Sequence, residues 1–178
     1  MIIDKEIISQ IYRPYFFISG IFDIDQKYFK KKIEEGIQNS NLNYKTNVCG
    51  YHTDWKFFNE DKNFNILLMQ IIDYLEKLDI DLEKFYLEDS WGIVLRLGDY
   101  TKKHHHNNFY LSGVLYLNDH PQKLYFPEIN QEIIPQKGRW VLFSSYLLHY
   151  TNRNIQEIKK YAISFNFHAT PFNIENKK

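Results

Sequence analysis

Cysteine is nearly missing from this sequence: among 178 residues, Cys49 stands alone. One thiol can neither close an intrachain disulfide nor build a zinc ribbon, which excludes both scaffolds and fits a reducing cytoplasm. Net charge is missing too, since 22 Lys and Arg balance 22 Asp and Glu and the sequence pI is about 7.1. No global field draws the chain to nucleic acid or to an anionic membrane, so neither is an expected partner. No apolar run approaches the ~18 residues of a membrane span, and Met1-Ile2-Ile3-Asp4-Lys5-Glu6 carries charge too early for a signal-peptide core. These absences predict a soluble, cytoplasmic protein. Internal repeats and low-complexity linkers are also lacking. At this length the chain reads as a single domain, 1–178, with 1–82 as helical and strand support and 83–170 as the β core.

What is present is apolar and aromatic. Hydrophobic residues make up 44% and aromatics 17%, with 14 Tyr and 14 Phe, a composition that packs a core rather than staying disordered. Residues 7–24 read as short extended pieces broken by Pro14. Asp25 is placed to cap a helix through Tyr28, Phe29, Ile33 and Ile37, and 39–43 reads as a loop. Residues 44–62 show no clear period. Trp55, Phe57 and Phe58 are its expected anchors, and its His52 is expected at the surface or behind a metal ligand. Phe64, Leu67, Leu68, Ile71, Ile72, Leu75 and Leu78 step by three and four, a helix laid on a sheet. From Phe85 to Leu97 the period becomes two, and further short strands are expected at 109–117, 123–126, 132–134, 139–143 and 160–168. Helices first and many short strands after give an α+β, mainly β protein built on a sandwich or barrel.

Three of the seven histidines stand together in Lys102-Lys103-His104-His105-His106-Asn107, directly before a strand. In an extended chain His104 and His106 share one face and His105 points away. Two imidazoles so placed can bind one first-row metal, though the pair alone is a weak signal. His149, after the strand at 139–143 and a short Ser144-Ser145-Tyr146-Leu147-Leu148 segment, is the candidate that barrel pairing would bring to them. The last strand adds a second clue. Its odd positions Tyr161, Ile163, Phe165 and Phe167 are aromatic or apolar, and its even positions Lys160, Ala162, Ser164, Asn166 and His168 are small, polar or charged. In a barrel with helices outside, the aromatic face meets the helices and the polar face lines the interior. An interior lysine then needs an anion, and a ligand carboxylate would serve.

With Trp91, Gly98 before His104-x-His106, Leu111-Ser112-Gly113-Val114-Leu115-Tyr116, Gly138-Arg139-Trp140-Val141-Leu142-Phe143, His149 and Ile163-Ser164-Phe165-Asn166, residues 90–167 resemble the small bacterial and phage Fe(II)/2-oxoglutarate-dependent oxygenases. The resemblance implies a double-stranded β-helix (a cupin-like jelly roll) with the N-terminal helices on the outer face of its major sheet. It implies an Fe(II) centre, 2-oxoglutarate as small-molecule co-substrate, O2, and hydroxylation with release of succinate and CO2. His104 and His149 become iron ligands. His106 stands where the wider superfamily has aspartate, and three completions are open: a three-histidine face, two histidines with water, or a remote carboxylate such as Glu128. Lys160 takes the place of the arginine that binds the distal carboxylate, as a point charge rather than a bidentate fork. Tyr116, Ser112, Ser164 and Asn166 would bind co-substrate, and Trp91, Tyr125 and Trp140 would wall the substrate pocket. A protein side chain, an amino acid or another metabolite would fit as primary substrate. The rivals are a non-catalytic jelly-roll binding module and a cupin with a different metal.

Overall fold

The computed structural model describes residues 15–40, 46–77 and 85–169. The expected extended pieces before Tyr15, part of the loop at 39–43 and the end of the second helix at Leu78 lie outside them. Among the described residues there are two α-helices and eleven strands, all paired antiparallel. Helix α1 (Gln26–Asn39) starts where Asp25 predicted it: the Asp25 carboxylate accepts the amides of Lys27 and Tyr28 at 3.0 and 3.1 Å, a cap worth about 1 kcal/mol. Helix α2 (Lys62–Lys77) is started by Asp61, whose side chain accepts from the Phe64 amide at 2.9 Å. Asp61 also takes the Tyr28 hydroxyl at 2.6 Å and pairs with Lys32, tying the two helices together. Neither helix is long and apolar enough to cross a membrane.

The strands are β1 (Phe17–Ile21), β2 (Val48–Cys49), β3 (Tyr51–His52), β4 (Phe85–Leu95), β5 (Tyr100–Thr101), β6 (Leu111–Tyr116), β7 (Leu124–Phe126), β8 (Gln131–Ile133), β9 (Arg139–Ser144), β10 (Tyr150–Thr151) and β11 (Lys160–Ala169). A six-stranded sheet runs β1-β9-β6-β11-β4-β3, a smaller one β10-β7-β8, and β2 pairs with β5. The N-terminal half thus supplies both edges of the large sheet. Gly138, at φ 78°, makes the turn into β9 that an L side chain would strain.

The alternation read from β11 holds. Ile163, Phe165 and Phe167 join Phe29, Ile33, Phe64, Leu67, Ile71 and Leu75 in the core between the large sheet and the helices. Gly113 lets the Phe165 ring lie against β6, in space that a Cβ would occupy. On the other face, Val114, Tyr116, Val141, Phe143 and Ala162 pack toward Leu124 and Phe126 of the small sheet. The large sheet is therefore buried on both faces, and its inner face meets the small sheet around a cavity.

Candidate metal and co-substrate site

His104 and His149 exchange backbone hydrogen bonds at 3.0 and 2.9 Å, an isolated antiparallel bridge that sets their rings 4.3 Å apart. His106 is held one pleat further on: its amide donates to the Ser145 carbonyl at 2.7 Å and its own carbonyl accepts from the Phe109 amide at 2.9 Å. The histidine stretch and the segment after β9 clasp each other, which brings residues remote in sequence together. His105 is exposed and points away, as its parity predicted.

The protons can be placed. Nδ1 of His104 lies 2.7 Å from the Lys102 carbonyl and Nδ1 of His149 2.9 Å from the Leu147 carbonyl. A carbonyl only accepts, so each Nδ1 carries the proton and each Nε2 keeps a lone pair. Nε2 of His104 stands 3.2 Å from Nε2 of His106. Two imidazole nitrogens ~2.0–2.1 Å from one metal stand about 2.8–3.4 Å apart for ligand angles between octahedral and tetrahedral. Ligand-capable nitrogens of all three histidines lie within 4.8 Å of one another. Burial, then mutual repulsion, keeps the trio from protonating: it holds His106 to about 3 and His149 well below the usual range, and burial lowers His104 as well. Neutral imidazoles with lone pairs converging are what a divalent transition metal requires.

No carboxylate belongs to this cluster among the described residues. Glu128, considered above as a remote ligand, instead accepts the Leu148 amide at 2.9 Å and so pins the backbone one residue before His149. His52 departs from the expectation of a surface position. It is buried on β3, with Nδ1 donating to the Thr53 carbonyl at 2.8 Å and its ring 5.0 Å from Trp55, and it is not part of the trio.

The three histidines share a cavity of about 70 Å³ with Lys160, Tyr116, Ser112, Ser164, Asn166 and Trp91. Strand register explains the set. Ala162 faces Ile93 and Tyr116, Ser164 faces Trp91 and Val114, and Asn166 faces Asp89 and Ser112, so one inner face collects them all. Lys160 is only 3% exposed. Its ammonium has the Gln122 carbonyl at 3.4 Å and the Tyr116 ring at 6.0 Å, but no carboxylate among the described residues, and burial brings its pKa down to about 7. Burial pushes the Tyr116 hydroxyl up, leaving it a neutral phenol. The Ser112 hydroxyl donates to Asn166 Oδ1 at 2.7 Å. The Trp91 indole Nε1–H is buried with no partner among the described residues.

Two residues expected in the pocket wall are elsewhere. Trp140 pairs with Leu115 on the helix side of the sheet and stacks on Phe22 at 5.7 Å. Tyr125 stacks on Tyr150 at 5.2 Å and does not line the cavity. Gln122, which no periodicity marks, turns out to organise the lysine end. Its amide group donates to the carbonyls of Asn152 at 2.6 Å and Asp99 at 3.0 Å. Its backbone amide donates to His120 Nδ1 at 3.0 Å, while His120 Nε2 donates to the Ile158 carbonyl at 2.9 Å.

No family model and no curated protein sequence matches the chain. Solved structures do. The viral collagen prolyl hydroxylase of Paramecium bursaria Chlorella virus-1, in its 2-oxoglutarate (2OG) complex, aligns with a TM-score of 0.66 at 16% identity over 88% of this chain and 96% of that one. A Pseudomonas putida prolyl-4-hydroxylase aligns at 0.63 and 15% identity over 85% and 91%. HygX from Streptomyces hygroscopicus, with nickel, 2-oxoglutarate and hygromycin B bound, aligns at 0.63 and 12% identity over 89% and 83%. A mostly β chain with two described helices, antiparallel sheets and a His-x-His…His cluster, this protein has the fold of the 2-oxoglutarate-dependent oxygenases.

Proposed function

We propose that the protein is an Fe(II)- and 2-oxoglutarate-dependent dioxygenase that hydroxylates a substrate C–H bond with release of succinate and CO2, its two main sheets forming one double-stranded β-helix. One observation carries this reading: three neutral histidines converge on a cavity whose walls, among the described residues, also hold a buried ammonium with a carbonyl but no carboxylate beside it, Lys160, and a buried donor without an acceptor, Trp91 Nε1. An acceptor-rich dianion answers both donors, because an unpaired buried ammonium is costly until an anion joins it. His104, His106 and His149 would hold the iron on one face, with no carboxylate ligand. Bound there, Fe(II) would couple oxidative decarboxylation of the 2-oxo acid by O2 to oxidation of the substrate. Lys160 neutralises the distal carboxylate, while Tyr116, Ser112, Ser164 and Asn166 supply the polar contacts that orient the co-substrate. Ile93, Leu95, Val114 and Phe143 keep water out. The 2OG complex of the viral hydroxylase and the nickel and 2-oxoglutarate in HygX support the same pairing of metal and co-substrate.

An all-imidazole ligand set also suits zinc, nickel or copper, which favours a second reading, a jelly-roll metal-binding protein that needs no 2-oxo acid. Anaerobic titration separates the two. Fe(II) followed by 2-oxoglutarate should give a visible charge-transfer band, and admitting O2 should yield succinate. Tight metal binding with no spectral response to 2-oxoglutarate selects the second reading, and failure to bind either one refutes the first.

A further inference from the structure

We propose that the primary substrate presents a cationic nitrogen, an ammonium or a guanidinium, to the carboxylate of Asp89, which stands opposite the cavity-lining Asn166 just outside the metal end of the cavity; the proposal rests on the oxygenase reading above. The β4–β11 register carries it. Lys160, Ala162, Ser164 and Asn166 line the cavity, and they stand opposite Leu95, Ile93, Trp91 and Asp89 in turn. Asp89 therefore ends the inner face of β4. The register shifts just beyond Asn166, and such a bulge re-aims the side chains beside it. Glu88, the residue taken up by the shift, turns to the ammonium of Lys56 at 2.7 Å.

This end of the sheet is the metal end. The Phe167 carbonyl accepts the Tyr110 amide at 2.8 Å, and Phe109, three residues after His106, has its ring 6.3 Å from the His106 ring and 5.0 Å from that of His168. Six residues of strand separate Asp89 from the Lys160 rung, roughly 20 Å at ~3.3 Å per residue. Asp89 and Lys160 therefore cannot pair, and they address different molecules, Lys160 inside the cavity and Asp89 just beyond its other end.

The chemistry around Asp89 selects a cation. The Ser112 hydroxyl occupies Asn166 Oδ1, so Asn166 meets Asp89 as a neutral donor, with one of its two N–H groups left for the co-substrate. Among the described residues Asp89 forms no ion pair, since Lys56, the nearby lysine, is held by Glu88. Burial, then the neighbouring Glu88 charge, raises the Asp89 pKa, the condition that an incoming cation relieves. The rings of Phe109 and His168, with Tyr86 5.7 Å from His168, add faces on which a cation is favoured. With the three histidines neutral, Lys160 is the one charged side chain among the described residues that line the cavity. An anionic substrate would find no further counter-ion there.

The test uses full-length protein loaded with Ni(II) and 2-oxoglutarate, a complex that binds substrate without turning it over. The probes are short peptides identical except for one residue: lysine, arginine, acetyl-lysine, norleucine or glutamate. Ligand-observed NMR should show the lysine and arginine peptides binding about tenfold or more tighter than the neutral ones, the effect of one desolvated charge pair. Asp89→Asn should erase that preference and Asp89→Glu retain it, with Ni(II) and 2-oxoglutarate affinities measured on the same variants to show that the site is intact. Equal binding of norleucine or glutamate peptides, binding of none, or a preference that survives Asp89→Asn overturns the proposal. If the wild-type protein binds neither Ni(II) nor 2-oxoglutarate, the oxygenase reading fails and takes this one with it. If both bind and no cation preference is seen, only this proposal fails.

Discussion

Replacing Lys160 by methionine should weaken 2-oxoglutarate binding while leaving the free protein as stable as before, or more so. Lys160 is 3% exposed and has no carboxylate partner among the described residues, so burial brings its pKa from an ordinary 10.5 to about 7. The free fold therefore carries a strained ammonium. Between these two values the unfolded chain binds a proton that the folded chain does not, so stability rises with pH through this window. It is lowest, and flat, below about 7. The full span is on the order of 5 kcal/mol as an upper bound, since each tenfold step in proton affinity is worth about 1.4 kcal/mol. Methionine has similar bulk and no charge, so Lys160→Met should flatten this part of the profile and gain most at or below neutral pH. With 2-oxoglutarate the sign reverses. The ammonium gains a carboxylate, and its loss should cost about 1.5–3 kcal/mol, roughly 10- to 150-fold in affinity. For the wild type, affinity should be flat below pH 7 and fall about tenfold per pH step above it, until the pKa of the complex is reached. Chemical denaturation from pH 6 to 10 and calorimetric titration of 2-oxoglutarate on both proteins measure these quantities. Unchanged 2-oxoglutarate affinity in Lys160→Met would remove the anchor. A large loss of stability in the free variant would show that the ammonium is structurally satisfied, and the reasoning from its isolation would be wrong.

Other outcomes follow from the same geometry. His104→Ala should abolish tight Ni(II) or Fe(II) binding, whereas His105→Ala, at an exposed position outside the trio, should leave the metal affinity unchanged by titration. Glu128→Ala frees the Leu148 amide beside His149 and should lower metal affinity about tenfold, as loss of a residue supporting a ligand does; Glu128→Gln keeps an acceptor oxygen and should restore most of it. Trp91→Phe removes an indole N–H that has no partner, so thermal stability of the free protein should hold while 2-oxoglutarate affinity or substrate coupling drops. Phe165→Ala, in the core between β11 and α2 with its ring 5.7 Å from Phe64, should cost about 3–5 kcal/mol in denaturant unfolding.

What was legible in the sequence depended on whether a strand has two different faces. On β11 the aromatic and polar positions differ, so the alternation of Ile163, Phe165 and Phe167 with Lys160, Ser164 and Asn166 could be read directly, and the structure puts the first set on the helices and the second in the cavity. On β9 it could not. Trp140, Val141, Leu142 and Phe143 are all buried, and a strand covered on both sides shows a continuous apolar run with no parity signal. Trp140 therefore looked as eligible for the pocket as Phe143, and only the pairing with Leu115 assigns it to the helix side. Tyr125 differs: it lies half-buried between the buried Leu124 and Phe126, on the opposite side of β7 from the cavity. His52 and Gln122 were illegible for a different reason. They are fixed by contacts across the chain, His52 through the pairing of β3 with β4 and Gln122 through Asp99, Asn152 and Lys160, and no local period encodes such contacts. The histidine trio lies between these cases. Spacing marks His104 and His106, whereas no local period marks His149, which the sequence offers only through barrel pairing and the family resemblance. The bridge between His104 and His149 makes that closure a backbone property, so either side chain can be replaced without opening the fold. A metal-free variant such as His104→Ala should thus remain folded, and its loss of metal binding can be assigned to the missing imidazole rather than to a lost structure.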